Sequence, residues 1–298
     1  MVHTKEEPEE GMTQEELNAA AAAAPSEPRT KNAFSELMAP KPKQAAAKPP
    51  SSSSSTTSRN AGGAGSRRFQ GRDGLGAYLA DPSSFLPGRV IYHNASFVAV
   101  HDLFPKATVH ALLLPRDPSH TLQHPFDAFE DGDFLEACVR ETEVLKGLAA
   151  RELQRLLGGE SRAERRRQDV LDGRAEVGEG EDVDEDESGL PRGRDWGKEI
   201  VAGVHAVPSM SNLHIHVLSR DMRSPALRHR KHYNSFATGF FVPLEAFPLA
   251  ADDGRRRTGE AGYLRRDFEC WRCGRGFGNR FAELKAHLEV EFEEWRRE

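Results

Sequence analysis

Polar and apolar residues alternate within residues 209–218, Ser-Met-Ser-Asn-Leu-His-Ile-His-Val-Leu, and this pattern constrains the fold more than any other stretch. Successive side chains of a β-strand face opposite ways, so a period of two predicts one polar face and one core face. The polar set is Asn212, His214 and His216, and the apolar set is Leu213, Ile215 and Val217. Two neighbouring imidazoles favour a functional site over packing, because each ring nitrogen needs a partner or water.

Composition indicates a globular part with long extensions that do not fold. The chain has 298 residues, of which 30% are charged and 37% hydrophobic, with 26 glycines and 18 prolines. The net charge of −6 excludes a uniformly basic nucleic-acid binder, yet residues 220–285 hold fourteen Lys/Arg against eight Asp/Glu. Such a local excess attracts phosphates. The acidic start of the chain has no apolar run behind it, which predicts neither a signal peptide nor a membrane span.

Three cysteines, with one close pair, indicate a reducing compartment and a metal site rather than a disulfide framework. The spacing Cys-x2-Cys-x13-His-x3-Glu predicts a zinc site in which the last two ligands share one face of a helix. Its ligands are Cys270, Cys273, His287 and Glu291. A sequence-reading transcription factor needs several fingers, so a single finger with arginines around it favours backbone binding to nucleic acid.

Secondary structure predicted along the chain is that of an α+β domain. A short helix near residues 74–80 precedes a hairpin of strands 89–93 and 96–101, a third strand over 109–115 and a long helix within 129–157. Strand 200–207 is expected to pair with strand 212–219, which brings His205 close to His214 and His216. Cys138 is expected to be a core residue of the long helix.

The composition of two segments predicts that they are disordered. Residues 1–72 form a low-complexity tail, and residues 158–197 form a solvated charged insertion with eight acidic residues among positions 176–187. Within the tail, Phe34, Leu37 and Met38 have the spacing of a short docking peptide for a repair-protein partner, with chance clustering as the alternative. The folded domain is expected over 73–157 and 198–248, and the finger region over 249–298.

Three kinds of chemistry suit the twin histidines. A metal site would need a third ligand, for which His110 and His205 are candidates. A second reading is simple nucleotide binding. In the third, one imidazole is a nucleophile toward phosphorus, provided that its other nitrogen donates a proton to a carbonyl.

Residues 211–218 resemble the signature of the histidine-triad (HIT) family, with Asn212 in place of the first histidine. Residues 203–211 and 231–236, together with the Cys/His element near the C-terminus, resemble the aprataxin branch of that family. The resemblance covers about residues 74–157 and 198–298. It implies an antiparallel sheet with packed helices and a small zinc finger carrying one structural zinc.

The resemblance also implies an activity, the removal of AMP from 5′-adenylated DNA ends by a hydrolase without a catalytic metal. The protein is expected to be a nuclear monomer, with an additional cytoplasmic pool left open. His214 would be the nucleophile, His216 would stabilise the phosphate, and His205 would assist the leaving oxygen. Implied substrate-binding residues are Asp102, Lys106, His110, Ser209, Met210, Ser211, Asn212, Lys231 and His232. Two alternatives stay open: a general HIT nucleotide hydrolase or transferase, and a non-catalytic adaptor that binds nucleic-acid ends.

Overall fold

The fold is seen in a computed structural model that describes residues 71–176, 186 and 189–298. The predicted docking peptide, with Phe34, Leu37 and Met38, lies outside the described residues, as does most of the acidic block 176–187. In the described part, no helix has both the length and the apolar character needed to cross a membrane.

A six-stranded antiparallel sheet, of order β1-β2-β3-β5-β4-β6, forms the centre of the fold. Its strands are β1 (Val90–His93), β2 (Phe97–His101), β3 (His110–Pro115), β4 (Ile200–His205), β5 (Ile215–Ser219) and β6 (Phe241–Pro243). A two-stranded sheet near the C-terminus consists of β7 (Phe268–Glu269) and β8 (Gly276–Gly278). The predicted hairpin, the third strand and the β4–β5 pairing are confirmed.

The α-helices lie on both faces of the large sheet and in the segments beyond it. They are α1 (Gly76–Ala80), α2 (Pro125–Ala128), α3 (Gly132–Leu157), α4 (Arg162–Leu171), α5 (Arg230–Ala237), α6 (Thr258–Ala261) and α7 (Phe281–Trp295). The predicted short and long helices correspond to α1 and α3, and the predicted α+β class is confirmed.

The main core lies between α3 and one face of the sheet. Leu213, Ile215 and Val217 contribute to this core, as the alternation predicted. Cys138 is fully buried there, and burial raises the pKa of its thiol to about 12, so it is a packing residue.

The opposite face carries two smaller apolar clusters with the histidines between them. One contains Leu75 and Tyr78 near α1, β2 and β3 residues, and Met210. The other joins Leu218 and Ala107 to the finger residues Phe268, Cys270 and Leu288. The sheet and the finger therefore share one apolar cluster and do not form two separately packed bodies.

The strand that carries the histidines is shorter than predicted. β5 begins at Ile215 rather than at Asn212, and β4 ends at His205 rather than at position 207. β5 begins later than predicted because the Leu213 N–H donates to the carbonyl of Thr121, which lies in a loop, and not to a neighbouring strand.

The prediction that residues 158–197 form a disordered insertion is wrong for the residues that the structure describes there. Ser161 caps α4 by accepting from the Glu164 N–H, and its hydroxyl also donates to the Glu298 carbonyl. The Trp196 indole donates to the Glu164 carboxylate. Charge composition concealed this order, because specific polar contacts to distant residues, rather than apolar burial, hold the helix.

Arg194 is a second anchor of the insertion. Its guanidinium lies 4.7 Å from the Trp196 ring and 4.6 Å from the Trp295 ring, between the two. It also donates to Glu199, which accepts from the Trp295 indole. An arginine that both stacks on aromatic rings and forms hydrogen bonds stabilises its surroundings strongly. Here Arg194 connects the end of α7 to the residues just before β4.

Gly203 offers a test of the packing between β4 and β6. A Cβ at this position would lie 2.4 Å from the Val242 carbonyl oxygen and 2.8 Å from Cζ of Phe241. We expect Gly203→Ala to lower the free energy of unfolding by about 1–3 kcal/mol, because the backbone of β6 must move. The measurement is urea unfolding followed by circular dichroism.

The matched control is Gly147→Ala. Gly147 is an exposed residue of α3 with open space at the Cβ position, so alanine should raise the free energy of unfolding by about 0.4–1 kcal/mol. Equal effects of the two substitutions would contradict the packing described for β4 and β6.

Candidate active site

Four imidazoles gather on the face of the sheet opposite α3. His110 begins β3, His205 ends β4, His216 lies in β5, and His214 directly precedes that strand. None is more than 5% exposed. The rings of His110, His205 and His214 all lie within 5.2 Å of the His216 ring, measured between centroids. The register Gly203↔His216 and Leu112↔His216 brings them together across three strands.

His214 has the hydrogen bond that a nucleophilic imidazole requires. Its Nδ1 lies 2.8 Å from the Asn212 carbonyl oxygen, which can only accept, so Nδ1 carries the proton. Nε2 of the neutral ring then holds a lone pair. A nucleophilic imidazole was expected to donate the proton of one ring nitrogen to a carbonyl. The bond from His214 to the Asn212 carbonyl has this geometry.

A chain of donors sets the tautomers of two further rings. The Lys106 backbone N–H donates to Nδ1 of His110 at 3.1 Å, so in a neutral His110 ring the proton is on Nε2. That Nε2 lies 3.0 Å from Nδ1 of His216. His216 therefore accepts at Nδ1 and carries its proton on Nε2, an atom that has no hydrogen-bond partner among the described residues. This series of hydrogen bonds therefore ends in a buried N–H donor, on Nε2 of His216.

Burial keeps these imidazoles neutral. It lowers the pKa of His110 to about 4, against a smaller opposing effect of Asp102. The pKa of His214 is lowered by burial, while the Asn212 carbonyl partly opposes the shift. Burial also lowers the pKa values of His205 and His216 well below 6.5. Near neutral pH the cluster offers lone pairs and N–H donors rather than positive charge.

Asp102 and Lys106 lie in the turn before His110. One carboxylate oxygen of Asp102 accepts from the Phe104 N–H at 2.7 Å, and the other lies 3.5 Å from Nε2 of His110. Lys106 is buried, with 5% of its surface exposed, and its ammonium donates to the Phe104 carbonyl. Both residues are therefore placed beside the histidine cluster.

A buried carboxylate that the sequence did not indicate holds this turn in place. Asp221 accepts from the Thr108 N–H and hydroxyl and from the Ser219 hydroxyl. Burial raises its pKa despite these donors. On the other side of Lys106, the Ser224 hydroxyl donates to the Pro105 carbonyl. The turn that carries Lys106 is thus fixed from both sides.

The turn formed by residues 209–211 lies beside the cluster, but not all of its polar groups are open to a substrate, as its implied substrate-binding role would require. The Ser211 N–H donates to the Arg72 carbonyl at 2.9 Å, so this donor is engaged within the chain. Met210 packs with Leu75 and Tyr78, and Ser209 is buried. The difference arises because residues 71–80 fold back over the turn, a long-range contact without a sequence signal.

Lys231 and His232 lie on α5. Lys231 is partly exposed, whereas His232 is buried and accepts the Arg228 N–H at Nδ1. The residue of α5 that reaches the histidines is Phe236, whose ring lies 5.4, 4.7 and 5.2 Å from those of His110, His205 and His216. An aromatic residue in a short helix gives no signal of this contact.

Asn212, in the first position of the triad, contacts the loop that follows β3. Its amide lies 3.5 Å from the Thr121 hydroxyl, and the next N–H in the chain, that of Leu213, donates to the Thr121 carbonyl. The peptide group between Asn212 and Leu213 is therefore held on one side by Thr121 and on the other by the His214 ring.

Asp102, His110 and His216 also lie close enough together to hold a metal ion. The hydrogen bond from Lys106 argues against that reading. A metal on Nε2 of a neutral His110 ring would place the ring proton on Nδ1, where it would face the Lys106 N–H donor. Two donors would then oppose each other in a buried site.

The four predicted zinc ligands do come together. Ligand atoms of Cys270, Cys273, His287 and Glu291 all lie within 4.8 Å of one another. Nε2 of His287 lies 3.1 Å from the Cys273 sulfur and 3.1 Å from a Glu291 oxygen. Tetrahedral zinc with bonds of about 2.0–2.3 Å separates its ligand atoms by about 3.3–3.8 Å. The donor set therefore fits zinc, and small shifts of the ligand atoms would give the tetrahedral spacing.

Family models match two parts of the chain. The model of the HIT domain matches residues 84–223, and the model of the C2HE / C2H2 / C2HC zinc-binding finger matches residues 237–294. The finer domain boundaries given above stay a prediction.

Whole-chain relatives share both parts. The aprataxin-like protein of Schizosaccharomyces pombe is 32% identical over 75% of this chain and 82% of its own. That of Saccharomyces cerevisiae is 33% identical over 74% of this chain and 95% of its own. The crystal structure of the aprataxin orthologue Hnt3 in complex with DNA, 30% identical, has a TM-score of 0.56 and covers 75% of this chain and 96% of its own. The chain therefore belongs to the aprataxin-like family, whose members combine a HIT domain with a C2HE zinc finger.

Proposed function

We propose that this protein removes AMP from 5′-adenylated DNA ends by way of a covalent AMP adduct on His214. The observation that carries the proposal is the bond from Nδ1 of His214 to the Asn212 carbonyl. It leaves the Nε2 lone pair of a neutral, buried ring as the nucleophile.

The proposed reaction has two steps. Nε2 of His214 attacks the phosphorus of AMP, and the bond from that phosphorus to the oxygen of the DNA 5′-phosphate breaks. Water then displaces the histidine from phosphorus, releasing AMP and restoring the lone pair. In each step, the N–H on Nε2 of His216 donates to a phosphate oxygen on which negative charge grows.

His205 suits the role of assisting the leaving oxygen. It is buried beside His216, and neither of its ring nitrogens has a hydrogen-bond partner among the described residues. A neutral imidazole always carries one N–H, which can be donated to the departing DNA phosphate. Asp102 would bind the ribose hydroxyls, and Lys106, His110 and the turn of residues 209–211 would lie near phosphate.

A polymer substrate is supported by the DNA complexes of Hnt3 and by the charge of the finger. Arg265 and Arg275 are exposed there. Arg255 and Arg256, basic residues between the two parts, are instead paired with Asp253 and Glu130. Backbone contacts to DNA are therefore assigned to Arg265 and Arg275.

The proposal includes one zinc ion held by Cys270, Cys273, His287 and Glu291. Bound there, zinc supplies bonds that stabilise the small apolar cluster of the finger. A nuclear location and a monomeric state also belong to the proposal, in keeping with a repair enzyme acting on single DNA ends.

Substitution of the nucleophile tests the chemistry. We expect His214→Ala to lower AMP release from adenylated nicked DNA by at least about 10⁴-fold, because the substitution removes the proposed nucleophile and alanine cannot form the covalent adduct. Labelled AMP should be trapped on the wild-type protein as an acid-labile, base-stable adduct. Equal labelling of the variant would refute the assignment of His214.

The pH dependence of AMP release tests the neutral state of the cluster. Because burial lowers the pKa of His214, its lone pair persists below the ordinary imidazole value of about 6.5. The acidic limb of kcat against pH should therefore lie below pH 6.5. A limb at or above that value, measured by AMP release between pH 4.5 and 8 at constant ionic strength, would contradict a neutral buried nucleophile.

Charge reversal on the finger tests the polymer substrate. Arg265→Glu combined with Arg275→Glu should weaken DNA binding and lower the slope of log affinity against log salt by about 2, one unit for each lost phosphate contact. Hydrolysis of AMP-lysine, a small substrate with a P–N bond, should be unchanged.

The matched control reverses Arg140 and Arg151, which are exposed on α3 against the opposite face of the sheet. This control should retain wild-type DNA affinity. If the Arg265/Arg275 variant lost both activities in parallel, or if AMP-lysine were as good a substrate as DNA, a general HIT nucleotide hydrolase would become the better interpretation.

A further inference from the structure

Helix α5 contacts the zinc-binding part of the finger at one end of its surface and the histidine cluster at the other. Tyr233 and Phe236 are three residues apart in this helix, so their side chains project from neighbouring positions of one rigid element. Tyr233 is fully buried, and it belongs to the apolar cluster that also holds Cys270.

The Tyr233 hydroxyl bonds to both peptide groups beside a zinc ligand. It accepts from the Trp271 N–H at 3.0 Å and donates to the Glu269 carbonyl at 2.8 Å. These residues flank Cys270. A single buried oxygen thus fixes the backbone on both sides of the cysteine.

Other contacts tie α5 to the same region. The Asn234 amide donates to the carbonyls of Leu264 and Arg266, and the Arg230 guanidinium donates to those of Arg265 and Arg266. The Arg230 guanidinium also lies 4.7 Å from the Phe268 ring. Because buried polar groups are costly to leave unpaired, α5 and the finger are expected to move as one unit.

Phe236 carries the contact onward to the imidazoles. Its ring meets those of His110 and His216 edge to face, at 90° and 89°, and that of His205 at 60°. For His205, whose nitrogens lack hydrogen-bond partners in the described residues, ring packing is the contact that sets its orientation. A shift of α5 would therefore turn the rings that are proposed to contact phosphate.

We propose that α5 couples the zinc site to the histidine site and that Tyr233 is a positioning residue for the hydrolysis, acting through Phe236. The coupling rests on the proposed function, since it concerns the alignment of those same histidines. The finger then has a second task besides holding DNA. It stabilises the geometry of the chemistry even for a substrate that never touches it.

The variant Tyr233→Phe removes only the hydroxyl and keeps the ring. We expect kcat for AMP-lysine to fall about tenfold with little change in KM, as small misplacement of reacting groups reduces the rate of the chemical step. Zinc content of the full-length protein should stay at the wild-type level. The control Tyr263→Phe removes a hydroxyl from a tyrosine that packs with Phe240 instead of Cys270, and kcat should be unchanged.

Removal of zinc gives a second measurement that needs no substitution. Chelation in the wild-type protein should lower kcat for AMP-lysine and should shift the ¹⁵N NMR signals of the His205 and His216 rings. In Tyr233→Phe those signals should already be displaced, and chelation should add little, because coupled perturbations of one network are not additive. The NMR signals of the imidazoles are measured in the absence of substrate, so this measurement does not depend on the activity.

Unchanged kcat and unchanged imidazole signals after zinc removal from the wild type would overturn the coupling, as would equal effects of Tyr233→Phe and Tyr263→Phe. A wild-type protein that releases no AMP from either substrate would refute the proposed function instead. In that case the imidazole signals alone decide on the coupling: a shift upon zinc removal supports it, and no shift refutes it.

Discussion

A single backbone donor, the N–H of Lys106, sets the protonation pattern of the buried histidines. Because it donates to Nδ1 of His110, the proton of that ring is on Nε2 and faces Nδ1 of His216. The proton of His216 is therefore on its Nε2, on the far side of the ring from His110. The pattern holds only while the rings stay neutral, which burial ensures. The turn around Lys106 must therefore be rigid, and Asp221 and Ser224 supply that rigidity from the segment after β5.

Local periodicity was enough to predict the part of the site that depends on strand geometry. The alternation of residues 212–217 predicted which side chains enter the core, and Leu213, Ile215 and Val217 do so. Ligand spacing likewise predicted the group of Cys270, Cys273, His287 and Glu291, since two pairs at short range need only a turn and a helix to meet. Both patterns are local, and both are read directly from neighbouring residues.

Several contacts between distant segments were not predicted. Thr121 and Arg72 bond to the peptide groups near His214, and Phe236 packs on three imidazoles, yet no composition or period marks these residues. The order of α4 was missed for a related reason. Its sequence is polar, and its helix depends on a cap at Ser161 and on an indole from Trp196. Whether such a polar segment is ordered depends on polar contacts with residues far away in the sequence. The sequence of the segment itself shows only its charge.

The fold-back of residues 71–80 determines how far this protein can be shortened. A version that began at residue 84, where the match to the HIT domain starts, would keep all six strands of the large sheet. It would lose the Arg72 carbonyl from Ser211 and the side chains of Leu75 and Tyr78 from Met210. The turn that precedes His214 would then be exposed to solvent. A shortened protein that keeps these contacts must therefore start before the match to the HIT domain does, and it must include Arg72.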